Sequence, residues 1–523
     1  MHLDADVLVI GGGPAGCWAG LAALRSGASV VLVDKGYVGT SGAMAAGNNT
    51  VIDTLAGSVE RQRSVDQRLR LGCGLADAER LERVMDHTRA SLDLLAEWDY
   101  PFPRREDGRP YRGMLRGVDN LRFLRQRLIK GGARILDHSP ADALLLDAEG
   151  AAAGATGFDR RTGARWRTDA GAVVIATGGC AFLSGAIGTH NLTGDGYLLG
   201  VEAGATLSGM EFSGQYGISP VFSGVTKGII YFWATLTTAQ GEVIDPSRDK
   251  RTVAHHLLRG PVYAVLDKAS PRLQEGLRKG QPNIFVPFDR TGIDPFRDKF
   301  EITLRHEGTV RGTGGLLLTD GRAGTAVPGL FAAGDAASRE PMSGATSGGG
   351  GPNAAWAIAT GGWAGEDAAA FARALGPRAR ERTRRSANAP APGAGASSRV
   401  AAEIVAQVVT EVRKAILPLD GGYFRTEASL LRQQALFDGL WRDPAWRTGL
   451  PGSREAEALL ATARWVTQAA LLREETRGTH RRTDRPQSDD RLAGSFHLRG
   501  ANEPRSLFAP FAEETFPYRS AVR

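Results

Sequence analysis

The first 34 residues carry the pattern that most constrains the fold of this chain. A short apolar run, residues 6–10, leads directly into Gly-Gly-Gly-Pro-Ala-Gly at 11–16, and an Ala- and Leu-rich stretch continues to Arg25. A second apolar run, residues 29–33, ends at Asp34. The order of strand, Gly-x-Gly-x-x-Gly, helix, strand and acid is that of a dinucleotide-binding βαβ unit.

Each part of this unit has a physical role. Gly11 permits the tight turn after the strand, Gly13 lets the backbone approach a pyrophosphate, and Gly16 lets the helix lie close to the strand. The N-terminus of the helix offers unpaired N–H groups to phosphates. Asp34 can accept hydrogen bonds from a ribose hydroxyl, and its charge disfavours the 2′-phosphate of NADP. A Gly-rich turn alone would explain the glycines, but it would not explain the second strand and its acid.

The composition is that of an intracellular globular enzyme. The chain has 523 residues, 42% of them hydrophobic, which predicts several domains around a large core. No apolar run reaches the length of a membrane-spanning helix, and the first strand begins too early to follow a signal peptide. Its three cysteines are too few for a four-cysteine cluster, so the sequence predicts no metal site and a cytoplasmic location. The net charge of +7 suits an anionic substrate, nucleic acid or an acidic partner, and equally a solvated surface.

Changes of pattern along the chain predict an interrupted nucleotide-binding domain. Two more apolar runs end in Gly-rich loops, at 171–179 and 327–337, far from the N-terminal unit. Aromatic strands, adjacent histidines and more prolines lie between them, and a Pro/Ala/Gly/Ser segment follows. The predicted order is the nucleotide-binding domain, first part, at 1–210; an inserted cap at 211–308; the nucleotide-binding domain, second part, at 309–385; a linker at 386–398; and a C-terminal helical domain at 399–523.

Five blocks of the sequence resemble a known family. The blocks are the fingerprint at 11–16, SGAMAAG at 41–47, TGDGY at 193–197, PGLFAAGDA at 328–336 and AALLREETRGTH at 469–480. In this order they are similar to the flavoprotein subunits of fumarate reductase and succinate dehydrogenase, with L-aspartate oxidase and the adenylylsulfate reductase α subunit. Short matches at 41–43 and 259–263 favour the adenylylsulfate reductase-like branch. The resemblance covers nearly the whole chain. It implies an α/β fold, with a Rossmann-like FAD-binding domain of the glutathione-reductase type, a mobile inserted cap and a C-terminal helical domain.

The resemblance also implies FAD as the cofactor. The fingerprint would bind the pyrophosphate, Asp34 the adenosine ribose and Asp335 the ribityl chain, while the loop at 41–47 would run beside the isoalloxazine ring. For Asp335, a simple turn aspartate is the alternative. A helix beginning near Gly351 would direct its positive end at the flavin N1–C2=O edge and favour the reduced anion by about 1 kcal/mol. The predicted cofactor-binding residues are Gly11, Gly13, Pro14, Ala15, Gly16, Asp34, Lys35, Ser41, Gly42, Gly47, Ala176, Thr177, Gly178, Asp195, Gly334, Asp335 and Gly351.

At several positions the sequence departs from the family pattern. Gly42 stands where the membrane-complex enzymes carry the histidine that attaches FAD covalently, so we expect non-covalent FAD. The groups with which the family binds a C4 dicarboxylate are replaced by Tyr216, Ile218, Val310 and Ser347. We therefore expect fumarate, succinate and L-aspartate to be poor substrates.

Candidate catalytic residues lie in the predicted cap. Arg251, His255 and Arg259 are spaced four residues apart, so they could share one helix face that binds an anion or transfers a proton. A solvated polar face has the same spacing. Further candidates, each with a structural alternative, are His190, Tyr231, Trp233, Arg311, Arg477 and His480.

Together these features predict an FAD-dependent oxidoreductase that transfers electrons between a small polar or anionic substrate and a second acceptor. Oxygen, a quinone and an iron–sulfur partner remain open as the acceptor, and an iron–sulfur partner would have to bring its own cluster. No second dinucleotide fingerprint indicates an NAD(P)H site. The alternatives are a tRNA-modifying FAD protein, suggested by the basic charge, and a flavin-stabilised assembly protein. The C-terminal helical pattern argues against the tRNA-modifying protein, so nucleic acid is not the expected partner.

Overall fold

The computed structural model describes residues 1–245, 250–347, 349–376, 381–388, 398–443, 446–447 and 452–510. Within these residues the strands β1 to β19 are, in chain order, His2–Ile10, Val30–Val33, Asn48–Thr50, Met114–Arg116, Arg134–Leu136, Ala141–Leu146, Ala152–Phe158, Arg165–Ile175, Leu207–Ser208, Tyr216–Pro220, Thr235–Thr238, Val243–Ile244, Val262–Val265, Phe300–His306, Gly315–Leu316, Leu330–Ala332, Arg385–Ser386, Gly494–Arg499 and Arg505–Pro510. The helices α1 to α14 are Pro14–Arg25, Val59–Leu71, Ala78–Glu97, Gly117–Lys130, Asp195–Glu202, Lys250–Leu257, Pro271–Gly280, Pro282–Thr291, Gly308–Arg311, Glu340–Ser343, Gly350–Leu375, Ser398–Ile416, Glu427–Arg442 and Ser453–Leu472.

The largest sheet has the order β17-β6-β7-β8-β1-β2-β5, and β16 also pairs with β8. Strand β1 pairs in parallel with β2 and with β8, while β2 pairs in parallel with β5. All four residues of β2 and the last four of β1 are buried, as is typical of parallel strands that are covered on both faces. The unit predicted from the first 34 residues is thus present as β1, α1 and β2.

Glycines allow α11 to lie directly against α1. A Cβ atom at Gly361 would overlap the backbone carbonyl oxygen of Ala15, and one at Gly365 would overlap that of Ala19. Both contacts advance in the same chain direction, so the helices run parallel. The first three turns of α11 therefore extend beyond the start of α1, alongside the Gly-rich turn.

A second sheet lies within the predicted cap. Its strand order is β10-β14-β13-β11-β12, and all the pairs are antiparallel. It has its own apolar core, which includes Phe285, Phe288 and Phe300 and also receives Tyr423 and Phe424 from the C-terminal part. The bounds of the five predicted segments stay predictions, and residues 389–397 of the predicted linker lie outside the described residues.

Buried ion pairs connect the start of the predicted cap with the C-terminal block at 469–480. Arg473 pairs with Glu211 at 2.7 Å and with Glu475 at 2.8 Å, and the side chains of Arg473 and Glu211 are fully buried. Arg477 also pairs with Glu475, at 2.7 Å. Breaking a buried pair on one side costs about 3–5 kcal/mol, so this cluster joins the two segments firmly.

Two further observations concern the cysteines and the helices of the described residues. Cys17, Cys73 and Cys180 are free thiols. Across the ranges given above, no helix combines the length and the hydropathy that crossing a bilayer requires.

Candidate functional site

A cavity of about 1400 Å³ opens at the carboxyl ends of the parallel strands. Its lining includes Ile10 at the end of β1, Asp34 after β2, Ala176 after β8 and Gly334 after β16. Open α/β sheets bind ligands at this edge, where the strand order reverses. Of the predicted cofactor-binding residues, all line the cavity except Gly16, Gly47 and Gly351.

The fingerprint turn is shaped by close backbone contacts. Gly11 has a φ of +109°, and a Cβ there would overlap the carbonyl oxygen of Ala176. A Cβ at Gly16 would overlap the carbonyl oxygen of Gly11, so α1 could not approach the turn. At Gly13, by contrast, a Cβ would come no closer than 3.7 Å to any atom. The absence of a side chain at Gly13 keeps open the space in front of the α1 N-terminus, where a pyrophosphate would bind.

Asp34 is held in place by three donors. Its Oδ2 accepts the Gly12 N–H at 2.6 Å, while its Oδ1 accepts the Gly36 N–H at 2.7 Å and the Ser41 hydroxyl at 2.6 Å. A carboxylate oxygen can accept two hydrogen bonds, so Oδ2 retains one acceptor position. This arrangement fits the predicted bond to a ribose hydroxyl.

Lys35 and Asp195 come together although 160 residues separate them. The Lys35 ammonium donates to Asp195 at 2.6 Å and to the Thr193 hydroxyl at 2.8 Å. Both charged side chains are about one-sixth exposed and line the cavity. The pair joins the second strand of the βαβ unit to the block at 193–197.

Asp335 lies on the cavity wall beside a buried arginine. Arg339 donates from Nη1 to the Asp335 carboxylate and from Nη2 to the carbonyl oxygens of Gly312, Val310 and Thr309. Burial raises the pKa of Asp335, and the charges of Arg339 and Arg311 oppose that rise. Arg339 belongs to none of the predicted motifs; its only signal in the sequence was its position four residues after Asp335.

The first turns of α11 supply an amide that the sequence analysis also missed. Asn353 lines the cavity, and its Nδ2 and Oδ1 atoms are buried without a hydrogen-bond partner among the described residues. Three residues later, Trp356 donates its indole N–H to the Gly334 carbonyl at 3.0 Å, which fixes that turn against α11. An unpaired buried amide costs about 1–3 kcal/mol, which a ligand carrying both donors and acceptors would recover. The hydrogen-bonding groups of the cavity lining therefore fit a flavin nucleotide.

The loop at 41–47 is held close to the fingerprint. Gly42 has a φ of +85°, and a Cβ there would lie 3.3 Å from Gly13 Cα and Pro14 Cδ. The Asn49 amide donates to the carbonyl oxygens of Met44 and Gly47, at 2.9 and 2.8 Å. A side chain at position 42 would be strained and crowded.

The three predicted catalytic residues lie outside this cavity. Arg251, His255 and Arg259 are exposed, and none of them contributes to the cavity lining. Helix α6 ends at Leu257, so the expectation that Arg259 shares its face is wrong; the chain turns instead, with the Arg259 N–H donating to the His256 carbonyl. The His255 ring stacks on Phe424 at 4.4 Å, and burial, Arg259 and Arg251 lower its pKa. Their catalytic roles stay predictions.

The other candidates divide into two groups. His190 and Arg311 line the cavity. Tyr231 is buried in the core of the second sheet, while His480 is fully buried and its Nδ1 lies 2.8 Å from Arg425 Nη1. Arg477 takes part in the buried ion-pair cluster. Tyr231, His480 and Arg477 therefore occupy structural positions.

Comparison with known proteins matches both ends of the chain to described families. The profile "FAD binding domain" matches residues 6–216, and "Fumarate reductase flavoprotein C-term" matches residues 442–505. L-aspartate oxidase of Mycobacterium tuberculosis H37Rv is 30% identical, over 96% of this chain and 97% of its own length. One component of the CoM/CoB fumarate reductase of Methanothermobacter marburgensis is 24% identical, over 96% of this chain and 98% of its own length.

Solved structures share the fold at lower identity. A variant of the Escherichia coli quinol fumarate reductase chain FrdA has a TM-score of 0.81 at 21% identity, covering 98% of this chain and 97% of that one. Adenylylsulfate reductase of Archaeoglobus fulgidus has a TM-score of 0.74 at 20% identity, covering 98% and 96%. Together with the family profiles, these similarities confirm the predicted α/β class with an FAD-binding domain and a C-terminal domain, and FAD as the cofactor.

Proposed function

The chain belongs to the family of FAD-dependent oxidoreductases that includes L-aspartate oxidase and the fumarate reductase flavoproteins, and from this premise we propose that it uses non-covalent FAD to oxidise or reduce a small anionic substrate. The similarities do not support the tRNA-modifying alternative. The predicted preference for the adenylylsulfate reductase-like branch stays a prediction.

The cavity carries this proposal, because its lining combines the predicted cofactor residues with a free amide. The N-terminus of α1 would bind the pyrophosphate, and Asp34 the adenosine ribose. Asp335 would accept from a ribityl hydroxyl, and Asn353 would bond the flavin with its unpaired atoms. The positive end of α11 would face the same ring. Bound FAD would supply the redox chemistry, while these residues orient it.

Position 42 supports non-covalent attachment. Gly42 has no side chain that could bond to a flavin, and its left-handed conformation disfavours one. The part of that loop that lines the cavity contains no histidine. Its residues are Ser41, Gly42, Ala43, Met44, Ala45 and Ala46. FAD would therefore be retained by hydrogen bonds and packing alone.

The positions that differ from the family offer no groups for a dicarboxylate, but an arginine beside them supports a small anionic substrate. Tyr216, Ile218 and Val310 are buried, and the Tyr216 hydroxyl is directed at the Leu417 carbonyl, 3.1 Å away. Arg311, next to Val310, lines the cavity. The electron acceptor would be oxygen, a quinone or an iron–sulfur partner that brings its own cluster. Three free thiols suit a cytoplasmic location.

The cofactor proposal is tested by acid precipitation of the purified yellow protein. We expect the flavin to stay in the supernatant and to have the mass of intact FAD. Colour in the pellet would disprove non-covalent binding. A colourless protein that does not take up added FAD would contradict the whole proposal.

A further inference from the structure

Lys227 of the second-sheet segment reaches the loop that would run beside the flavin. It precedes the 3₁₀ helix Gly228–Trp233, is half-buried, and places its ammonium 3.5 Å from the Asn48 carbonyl. A Cβ built on Gly47 would lie only 3.0 Å from Lys227 Nζ. The amine of Lys227 therefore lies against the end of the 41–47 loop.

Arg311 lies in a helix that is close to the same loop. It is the last residue of α9 and lines the cavity, and its neighbour Val310 belongs to a small apolar cluster against which Ala43 of the loop packs. In the described ranges neither Arg311 nor Lys227 has a carboxylate within 4.0 Å, and the Arg311 side chain makes no hydrogen bond there; Asp335 interacts with it only through its charge, from farther away. By contrast, the buried Arg339, Arg473 and Arg482 each pair with an acid.

The two cations are close enough to influence each other. The pKa of Lys227 is lowered to about 8, first by burial and then by the charge of Arg311, while Glu307 acts in the opposite sense. Glu307 is itself engaged, because its carboxylate accepts the Thr226 hydroxyl at 2.7 Å. Two neighbouring cations without a paired acid are unfavourable in a half-buried site, and a bound anion would relieve that cost.

We propose that Lys227 and Arg311 jointly bind a carboxylate group of the substrate, between Gly47 and α9. This inference rests on the proposed function, because Gly47 belongs to the loop assigned to the flavin. The pair would take the place of the missing dicarboxylate-binding groups, with donors of a different type and from different positions. Charge-assisted hydrogen bonds from an ammonium and a guanidinium are the strong interactions that such a site needs.

Lys227 gives the site a characteristic pH dependence. The groups that face its ammonium are Arg311, Glu307 and the Asn48 carbonyl. Only protonated Lys227 attracts a carboxylate, so the affinity is highest well below pH 8 and falls as the pH rises through about 8. The guanidinium of Arg311 would preserve weaker binding at alkaline pH.

Malonate titration of the FAD-loaded protein tests the site without turnover. Malonate carries the carboxylate, and malonamide is its uncharged analogue. Binding is followed by the change in flavin absorbance and by the rise in unfolding temperature. We expect saturable binding of malonate, no binding of malonamide, and an affinity lowered about tenfold or more in Lys227→Gln and in Arg311→Gln.

Two exposed cations that do not line the cavity serve as matched controls. Lys279 pairs with Glu275 at 2.5 Å and Arg272 with Glu106 at 3.2 Å, so Lys279→Gln and Arg272→Gln remove the same charges outside the cavity. Both should bind malonate as the wild type does. In Lys227→Gln, the loss of affinity near pH 8 should also disappear.

Three results would overturn the inference: no malonate binding by yellow wild-type protein, equal binding of malonamide, or unchanged affinity in both site variants. Each leaves the FAD proposal intact, because the flavin is present. Conversely, a protein that binds no FAD contradicts the proposed function, whatever malonate does to its unfolding temperature.

Discussion

The guanidinium of Arg339 is paired with the carboxylate of Asp335, and only Asp335 faces the cavity: 1% of the Arg339 side chain is exposed, against 18% for Asp335. Arg339 thus fixes the carboxylate from behind and leaves its outer oxygen to a ligand. Truncating Asp335 to alanine would strand a buried cation, at a cost of about 3–5 kcal/mol. Asparagine is the sharper substitution, because it removes the charge and keeps the shape.

Asp335→Asn is expected to weaken FAD binding about tenfold or more, since one charge-assisted hydrogen bond to a hydroxyl contributes roughly 1.5–3 kcal/mol. Titration of the flavin-free protein with FAD measures the change. Asp147→Asn is the matched control, because Asp147 forms a buried pair with Arg382 at 2.8 Å but does not line the cavity. Equal affinity in Asp335→Asn and wild type would refute the role of Asp335.

Succinate and L-aspartate are expected to reduce the flavin slowly, and fumarate is expected to reoxidise it slowly, although a relative of this chain is named L-aspartate oxidase. The physical reason is that Ile218 and Val310 are buried and apolar, and that the Tyr216 hydroxyl is already hydrogen-bonded within the protein. Anaerobic stopped-flow absorbance measures both directions. A rate of about 10 per second or more with any of the three compounds would show that these positions still support turnover of a C4 dicarboxylate.

Arg259→Ala is expected to raise the apparent KM, with kcat/KM lowered about tenfold or more and the FAD content unchanged, if the exposed face of the second-sheet segment closes over the cavity. His255→Ala should instead change the pH dependence of kcat, because an imidazole with a lowered pKa titrates below its usual range. Steady-state kinetics across pH separates the two effects. Wild-type values in both variants would assign these residues to a solvated surface.

Glu340→Gln is expected to stabilise the protein at neutral and alkaline pH. Burial, and then the charge of Glu211, raise the pKa of Glu340 to about 7, while the hydroxyls of Ser208 and Ser495 donate to its carboxylate. The unfolded chain loses this proton near pH 4.5, so the free energy of unfolding falls between pH 4.5 and 7 and stays low above pH 7.

Replacing the carboxyl group by an amide should abolish that fall. The free energy of unfolding should then exceed that of the wild type by roughly 3 kcal/mol above pH 7 and equal it below pH 4. Denaturant unfolding at several pH values measures it. The exposed Glu275, changed to Gln, should leave the profile as in the wild type. A parallel profile for Glu340→Gln and wild type would mean that Glu340 is already ionised in the folded protein.

Local patterns explain which parts of the site were predictable from the sequence. Gly11 and Gly16 are imposed by backbone contacts within one turn, and such sterics leave a readable spacing. Asp34 follows its strand directly. Arg339 and Asn353 left no such signal, because their importance depends on what surrounds them after folding: three carbonyl oxygens in one case and an unfilled cavity in the other.

In the predicted cap, a clear sequence pattern led to a wrong expectation. The spacing of Arg251, His255 and Arg259 fits a helix, but α6 stops at Leu257, so periodicity alone extended the helix face too far. Lys227 has no spacing signal, and its contact with Gly47 joins segments 180 residues apart. Long-range contacts of this kind, like that of Lys35 with Asp195, follow from the packing of whole segments rather than from any local sequence.

The pairing of Glu211 with Arg473 also sets an order of events at the ribosome. The two residues are 262 positions apart, and Arg473 is the later of the two to be synthesised. At the usual pace of synthesis, Glu211 emerges roughly 15–50 s before its counter-ion exists. During that interval the carboxylate cannot be buried without a large cost, so the segment that carries it has to wait in water. The nascent chain therefore completes this junction only after the block at 469–480 has been synthesised.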